Sequence, residues 1–332
     1  MKRFLSILFS FALILSLLAG SGQGPAASEE APASSDEKLS VVATIFPIYD
    51  WVRALAGDRI DQFDLTLLLD SGVDLHSYQS TADDLIKIAD CDLFLYVGGE
   101  SDAWVEEALA SARNPDLIVV NLMEVLGDAV KEEEVMEGME AEDHEDEGTE
   151  DGEEEAEYDE HVWLSLKNAA VLCRAIGDAL AELDPDGAEV YAANTASYLE
   201  ALTNLDNEYA AAVANSDHKT LLFGDRFPFR YLTDDYGLNY YAAFVGCSAE
   251  SEASFETVAF LSGKLDELGL PAVLKIDGSD GKLAQTIIDN SQSKSTKILE
   301  LDSLQSATTA DEGKTYLSAM EGNLYVLTEA LG

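Results

Sequence analysis

The chain has 332 residues, room for two domains at about 100–200 residues each. Its hydrophobic share of 47% suits a soluble globular protein and excludes one that crosses a membrane repeatedly. With 65 acids against 19 Lys and Arg, the net charge is −46 at neutral pH, a field that repels phosphate backbones and excludes nucleic-acid binding.

The chain opens with Lys2 and Arg3, an almost wholly apolar stretch over 4–18, and then Ala19, Gly20 and Ser21. This is the pattern of an export signal over residues 1–21. Residues 17–20, Leu-Leu-Ala-Gly, resemble a bacterial lipobox, but Ser21 stands where the acylated cysteine belongs, so a lipid anchor by that route is doubtful. Residues 22–38 are rich in Gly, Pro, Ala, Ser and Glu and are expected to form a flexible tether.

From residue 39 the periodicity predicts strands at 41–46, 63–69, 93–97 and 117–121, alternating with helices at 49–56, 81–89 and 102–112. Strand–helix alternation implies a helix-covered parallel sheet, here an N-terminal lobe over 39–166. Its pattern breaks over 128–158, and residues 128–160 carry 19 acids and one base. Such a run reads as a solvated loop or, with His144, a weak metal collector. Helices follow at 167–182 and 187–213, separated by Asp184-Pro185-Asp186, so 167–215 forms a helical region that includes a long connector. Strands at 220–223, 240–245, 272–276 and 297–301 and helices at 227–235, 254–268, 280–290 and 314–330 then build a C-terminal lobe over 216–332. The fold class is α/β, two α/β lobes joined by a long helix.

In open α/β sheets ligands gather beyond the carboxyl ends of strands. His76, His161, Asp225, Cys247 and Asp302 fall at such places or end the acidic loop. Imidazole, carboxylate and thiolate are the ordinary donors to zinc and related ions, and a closed site takes about four. Asp277 also ends a strand and suits a helix cap. The three cysteines are too few and too scattered for a disulfide framework, and Cys91 and Cys173 sit in apolar patterns that favour simple burial.

Asp74-Leu75-His76-Ser77-Tyr78 and Asp159-Glu160-His161-Val162-Trp163-Leu164-Ser165 resemble the two histidine motifs of the solute-binding proteins that serve zinc- and manganese-importing ABC transporters. The resemblance runs from about residue 40 to the end, through Gly98-Gly99-Glu100, Glu252-Ala253-Ser254, and Leu301-Asp302-Ser303-Leu304 with Thr315-Tyr316-Leu317. It implies that His76, His161 and Asp302 are metal ligands in a cleft between two lobes. The family's remaining ligand falls on Arg226 or, with a shift, Gly224, and neither can bind a cation. The fourth position is then left to Cys247 or, alternatively, to Asp225, a water or no ligand.

The resulting expectation is an exported, cell-surface or periplasmic binding protein. It would be monomeric, would capture Zn²⁺ or alternatively Mn²⁺, and would deliver it to an ABC permease in the membrane, with cell adhesion as an added role the family permits. A metal-dependent hydrolase is the alternative from another class, since two histidines and an aspartate with an open position activate water. The chain has no His-Glu-x-x-His helix, and the reading is of a protein that is not an enzyme.

Overall fold

The computed structural model describes residues 38–140, 157–248 and 252–332. The expected export signal and all but the last residue of the tether lie outside them, as does His144. Among the described residues no helix is long and apolar enough to cross a membrane.

The first half holds β1 (Leu39–Ala43), α1 (Phe46–Ala56), β2 (Phe63–Leu67), α2 (Ala82–Asp90), β3 (Leu93–Tyr96), α3 (Val105–Ala110), β4 (Ile118–Asn121) and α4 (Leu122–Leu126). The strands pair in the order β2-β1-β3-β4, all parallel, with Val41 opposite both Leu65 and Leu93. Val41, Val42, Ala43, Leu93, Phe94 and Leu95 are fully buried, as expected for strands covered on both faces. The first strand stops sooner than its apolar run because Pro47 fixes the opening turn of α1, where its missing N–H is no loss.

Two helices then occupy the middle of the chain, α5 (Leu166–Leu183) and α6 (Ala188–Asn215). At 28 residues, α6 is about 42 Å long. It ties the halves together: Asn194 Nδ2 donates to the Leu55 carbonyl of α1 (2.9 Å), while Tyr209 Oη donates to the Met320 carbonyl near the C-terminus (2.6 Å).

The second half holds β5 (Thr220–Leu222), β6 (Arg226–Phe227), α7 (Arg230–Tyr236), β7 (Asn239–Tyr241), β8 (Phe244–Val245), α8 (Phe255–Leu268), β9 (Ala272–Ile276), α9 (Lys282–Asn290), β10 (Lys297–Leu301) and α10 (Tyr316–Leu331). β10 pairs with β9 and β5 with β7, both parallel, and the Phe223–Leu274 bridge links the pairs. The two-residue strands β6 and β8 form a separate parallel pair. The strand expected at 240–245 is thus split into β7 and β8, while β6 escapes sequence reading because two residues carry no period.

One apolar core runs through both halves. Trp163 and Tyr316, both fully buried, join them: Trp163 Nε1 donates to the Ser303 carbonyl (2.9 Å), and Tyr316 Oη to the Trp163 carbonyl (2.7 Å). The acidic segment, expected as a loop, has firmly paired ends. Asp159 N–H donates to the Lys131 carbonyl (2.9 Å), Glu133 N–H to Glu157 (2.8 Å), and Glu140 N–H to Ala243 (2.9 Å). Backbone pairing does not depend on apolar side chains, so hydropathy gives no sign of it. Lys131 and Arg230 offset part of the charge through Asp234 and Glu134.

Candidate metal centre

Both histidines sit on short turns that follow an aspartate by two residues. Asp74 Oδ1 accepts the His76 N–H (2.9 Å) and Asp159 Oδ1 the His161 N–H (2.8 Å), the local bond by which Asp residues favour turns. Val162, Trp163 and Leu164 are buried and anchor the second turn in the core. The two rings meet with Nε2 atoms 3.0 Å apart. Two nitrogens bound tetrahedrally to zinc at about 2.0–2.1 Å lie about 3.3 Å from each other, so the imidazoles stand near the spacing of a shared ion.

The opposite edge of each ring is also held. His161 Nδ1 lies 3.0 Å from Asp159 Oδ1, and His76 Nδ1 lies 2.9 Å from Ser101 Oγ and 3.5 Å from Glu160 Oε2. Partners on Nδ1 orient the ring and leave Nε2 to the ligand. Glu160 Oε1 accepts the Ser101 N–H (2.8 Å), while its buried Oε2 has no hydrogen-bond partner. Gly99 makes this packing possible: it has a positive φ of 82°, and a Cβ there would stand 2.4 Å from Glu160 Oε1.

Cys247 completes the cluster from the second half. One donor atom from each of His76, His161 and Cys247 lies within 4.8 Å of the others, and among the described residues this is the grouping that could hold a metal ion. Gly246 lets the backbone pass His161, since a Cβ there would meet the ring at 3.1 Å. Burial, and after it the Asp159, Glu133 and Glu160 carboxylates, push the Cys247 thiol well above its ordinary pKa. Burial, with neighbouring His161, lowers His76 to about 3. His76 is therefore neutral at physiological pH, the form that ligates metal.

The other sequence candidates lie differently. Asp302 is outside the cluster: its Oδ2 pairs with Lys314 Nζ (2.7 Å) and its Oδ1 accepts the Leu304 N–H (2.9 Å). Asp225 is outside as well, accepting the N–H groups of Arg226 (2.9 Å) and Ile276 (3.4 Å). Arg226 donates to Asp74 Oδ2 (2.6 Å) and the Ser248 carbonyl (3.1 Å), so the guanidinium at the family's ligand position neutralises the aspartate that holds His76. Asp277 does not cap α9. It accepts from Ser303 and Ser306, fixing the loop after β10. Cys91 and Cys173 are fully buried free thiols, in keeping with structural roles.

Three residues near the site escaped sequence reasoning. Gln305, whose amide nitrogen faces both Asp74 oxygens (2.5 and 3.1 Å), sets its oxygen 2.7 Å from His161 Nε2. Its placement follows Leu304, the one non-glycine of positive φ (63°) among the described residues; such strain costs about 1–3 kcal/mol and gathers at functional sites. Glu133 accepts the Cys247 N–H at 3.1 Å. Glu160 belongs to a recognisable motif, whereas a glutamine three residues after Asp302 and one glutamate among nineteen acids offer no signal.

Two parallel-sheet halves, a long bridging helix and an imidazole–thiol cluster where the halves meet make a two-lobed fold with its candidate site between the halves. The chain belongs to the family described as zinc-uptake complex component A, periplasmic, whose model matches residues 41–330. It is 30% identical to the zinc-binding lipoprotein AdcA of Streptococcus pneumoniae (strain ATCC BAA-255 / R6) over 99% of this chain and 61% of that protein. The chain thus spans less than two thirds of that relative. It is 29% identical to the high-affinity zinc uptake system protein ZnuA of Bacillus subtilis (strain 168), over 98% of this chain and 97% of that one. Among solved structures, the Zn(II)-bound ZnuA-like domain of S. pneumoniae AdcA is similar at a TM-score of 0.68 and 27% identity, covering 89% of this chain and 99% of that one.

Proposed function

We propose that this chain is an extracytoplasmic solute-binding protein that captures one divalent transition metal, with Zn²⁺ preferred, and delivers it to an ABC permease. The observation that carries the reading is the convergence of His76, His161 and Cys247 within 4.8 Å. Imidazole and thiolate donors suit zinc, and a soft sulfur ligand disfavours manganese, which prefers oxygen. Relatives named for zinc binding and zinc uptake support the same assignment. The metal is cargo, and the chain acts by binding rather than catalysis.

In this reading His76 and His161 offer Nε2 while their Nδ1 partners hold the rings. Cys247 releases its thiol proton to solvent as the metal binds. Asp302 joins only if Lys314 gives way. Residues 1–21 serve as the export signal and 22–38 as the tether, ahead of lobes at 39–166 and 216–332 joined through 167–215. The protein works as a monomer.

Elemental analysis of the purified chain after zinc loading and exhaustive dialysis tests the assignment. One zinc per chain is expected, and none would sink it.

A further inference from the structure

Beside the cluster lies a cavity of about 240 Å³ lined by His76, Cys247 and Glu160 together with Glu133, which the start of the acidic segment brings there. No lysine or arginine lines it. Glu100 and Glu157 also line the cavity. Of the remaining carboxylates near the centre, Asp159 and Glu160 face the Nδ1 edges of the imidazoles, Arg226 holds Asp74, and Lys314 holds Asp302. Asp225 is taken by backbone N–H groups and Asp277 by serine hydroxyls and one N–H. Glu133 is set at the thiol residue itself, where its Oε1 accepts the Cys247 N–H.

We infer that Glu133 is the fourth metal ligand, a carboxylate supplied by the acidic segment and swung through the cavity onto an ion held by His76, His161 and Cys247. The inference rests on the metal-binding reading above. The backbone around Glu133 is firmly placed, because residue 133 is pinned to Glu157, and Lys131 to Asp159, the residue that orients His161. Glu133 and His161 are therefore held by one short ladder. The Glu133 side chain is only partly buried and has the cavity in which to turn. Charge favours it over the nearby Gln305 oxygen. An anionic carboxylate oxygen is an ordinary zinc ligand and attracts a divalent ion more strongly than a neutral amide oxygen does. Binding releases one proton, from the Cys247 thiol; the Glu133 carboxylate binds as the anion.

The experiment compares zinc affinity, by competition with a chromophoric chelator, and the cobalt(II) d–d spectrum for the intact chain, Glu133→Gln, Glu134→Gln and His76→Ala. Glutamine retains an oxygen for the Cys247 N–H, so the substitution removes charge and keeps the contact. The expected result is a loss of tenfold or more and an altered d–d spectrum for Glu133→Gln, with unchanged apo melting temperature and with Glu134→Gln within twofold of the parent. Affinity of Glu133→Gln within twofold of the parent, or a fall in apo melting temperature that accounts for the loss, overturns the assignment. If the parent binds zinc and His76→Ala does not, that failure leaves the metal-binding reading intact; a parent that binds no zinc removes both.

Discussion

The two Asp-x-His turns are built alike and partnered differently. In each, the aspartate accepts the histidine N–H two residues on. Asp159 also reaches His161 Nδ1, so backbone and ring are held by one carboxylate, and the ring is fully buried. Asp74 instead turns its second oxygen to Arg226, leaving the His76 ring to Ser101 and Glu160. His161 is thus the preorganised donor, and His76 is the donor whose surroundings answer to the second half of the molecule. The same local motif acquires two roles because Asp159 Oδ1 serves both the backbone and the ring of its histidine, whereas the second oxygen of Asp74 is drawn to Arg226.

The largest expected effect comes from removing a ring. His161→Ala and His76→Ala should each weaken zinc binding by at least about tenfold, measured by chelator competition, because each withdraws a proposed ligand without opening the main sheets. His161→Ala should be the more damaging, and a reversed order would break the distinction between preorganised and adaptable donors. Cys247→Ser comes next. It should abolish the sulfur-to-cobalt charge-transfer band of the cobalt-loaded protein, while Asp225→Ala should leave the band in place; in the parent, bound metal should protect Cys247 against alkylation. A band that survived Cys247→Ser would exclude Cys247 as its sulfur ligand.

The aspartates separate the turns more finely. Asp159→Asn should lower zinc affinity by about 10–100-fold, the usual effect of losing a ring-orienting partner. Asp74→Asn should act more on folding, at about 1.5–3 kcal/mol in urea unfolding, because it strips Arg226 of a charged hydrogen bond. Equal affinity losses in the two variants would show that the turns act alike.

The smallest effect concerns acid. Burial lowers His76 in the folded apo protein to about 3, so the unfolded chain binds the extra proton first, near its ordinary value of about 6.5. Its contribution to stability is present above about 6.5 and is lost as pH falls toward 3. Urea unfolding of apo protein at pH 7 and pH 5 should therefore show a smaller fall for His76→Gln than for the parent. An identical fall would mean that the ring stays hydrated or paired in the apo state.

Much of this molecule was determined locally and could be read as such. Strand–helix alternation, the long helix after Asp184-Pro185-Asp186, and the Asp-x-His turns depend on neighbours two to four residues away, and side-chain period or turn chemistry records them. Pro47, Trp163 and the Gly98-Gly99 pair likewise mark positions where the backbone or core accepts few alternatives. The acceptors that surround the histidines belong to a different kind of information. Whether Asp302 faces a metal or Lys314, whether Arg226 is idle or neutralises Asp74, and whether Glu133 is one solvated acid among many or the neighbour of Cys247 depends on side chains about 12 to 152 residues apart. Charge and hydrogen bonding act over a few ångströms without regard to chain separation, so only the packing of the two halves decided which polar groups share the cleft.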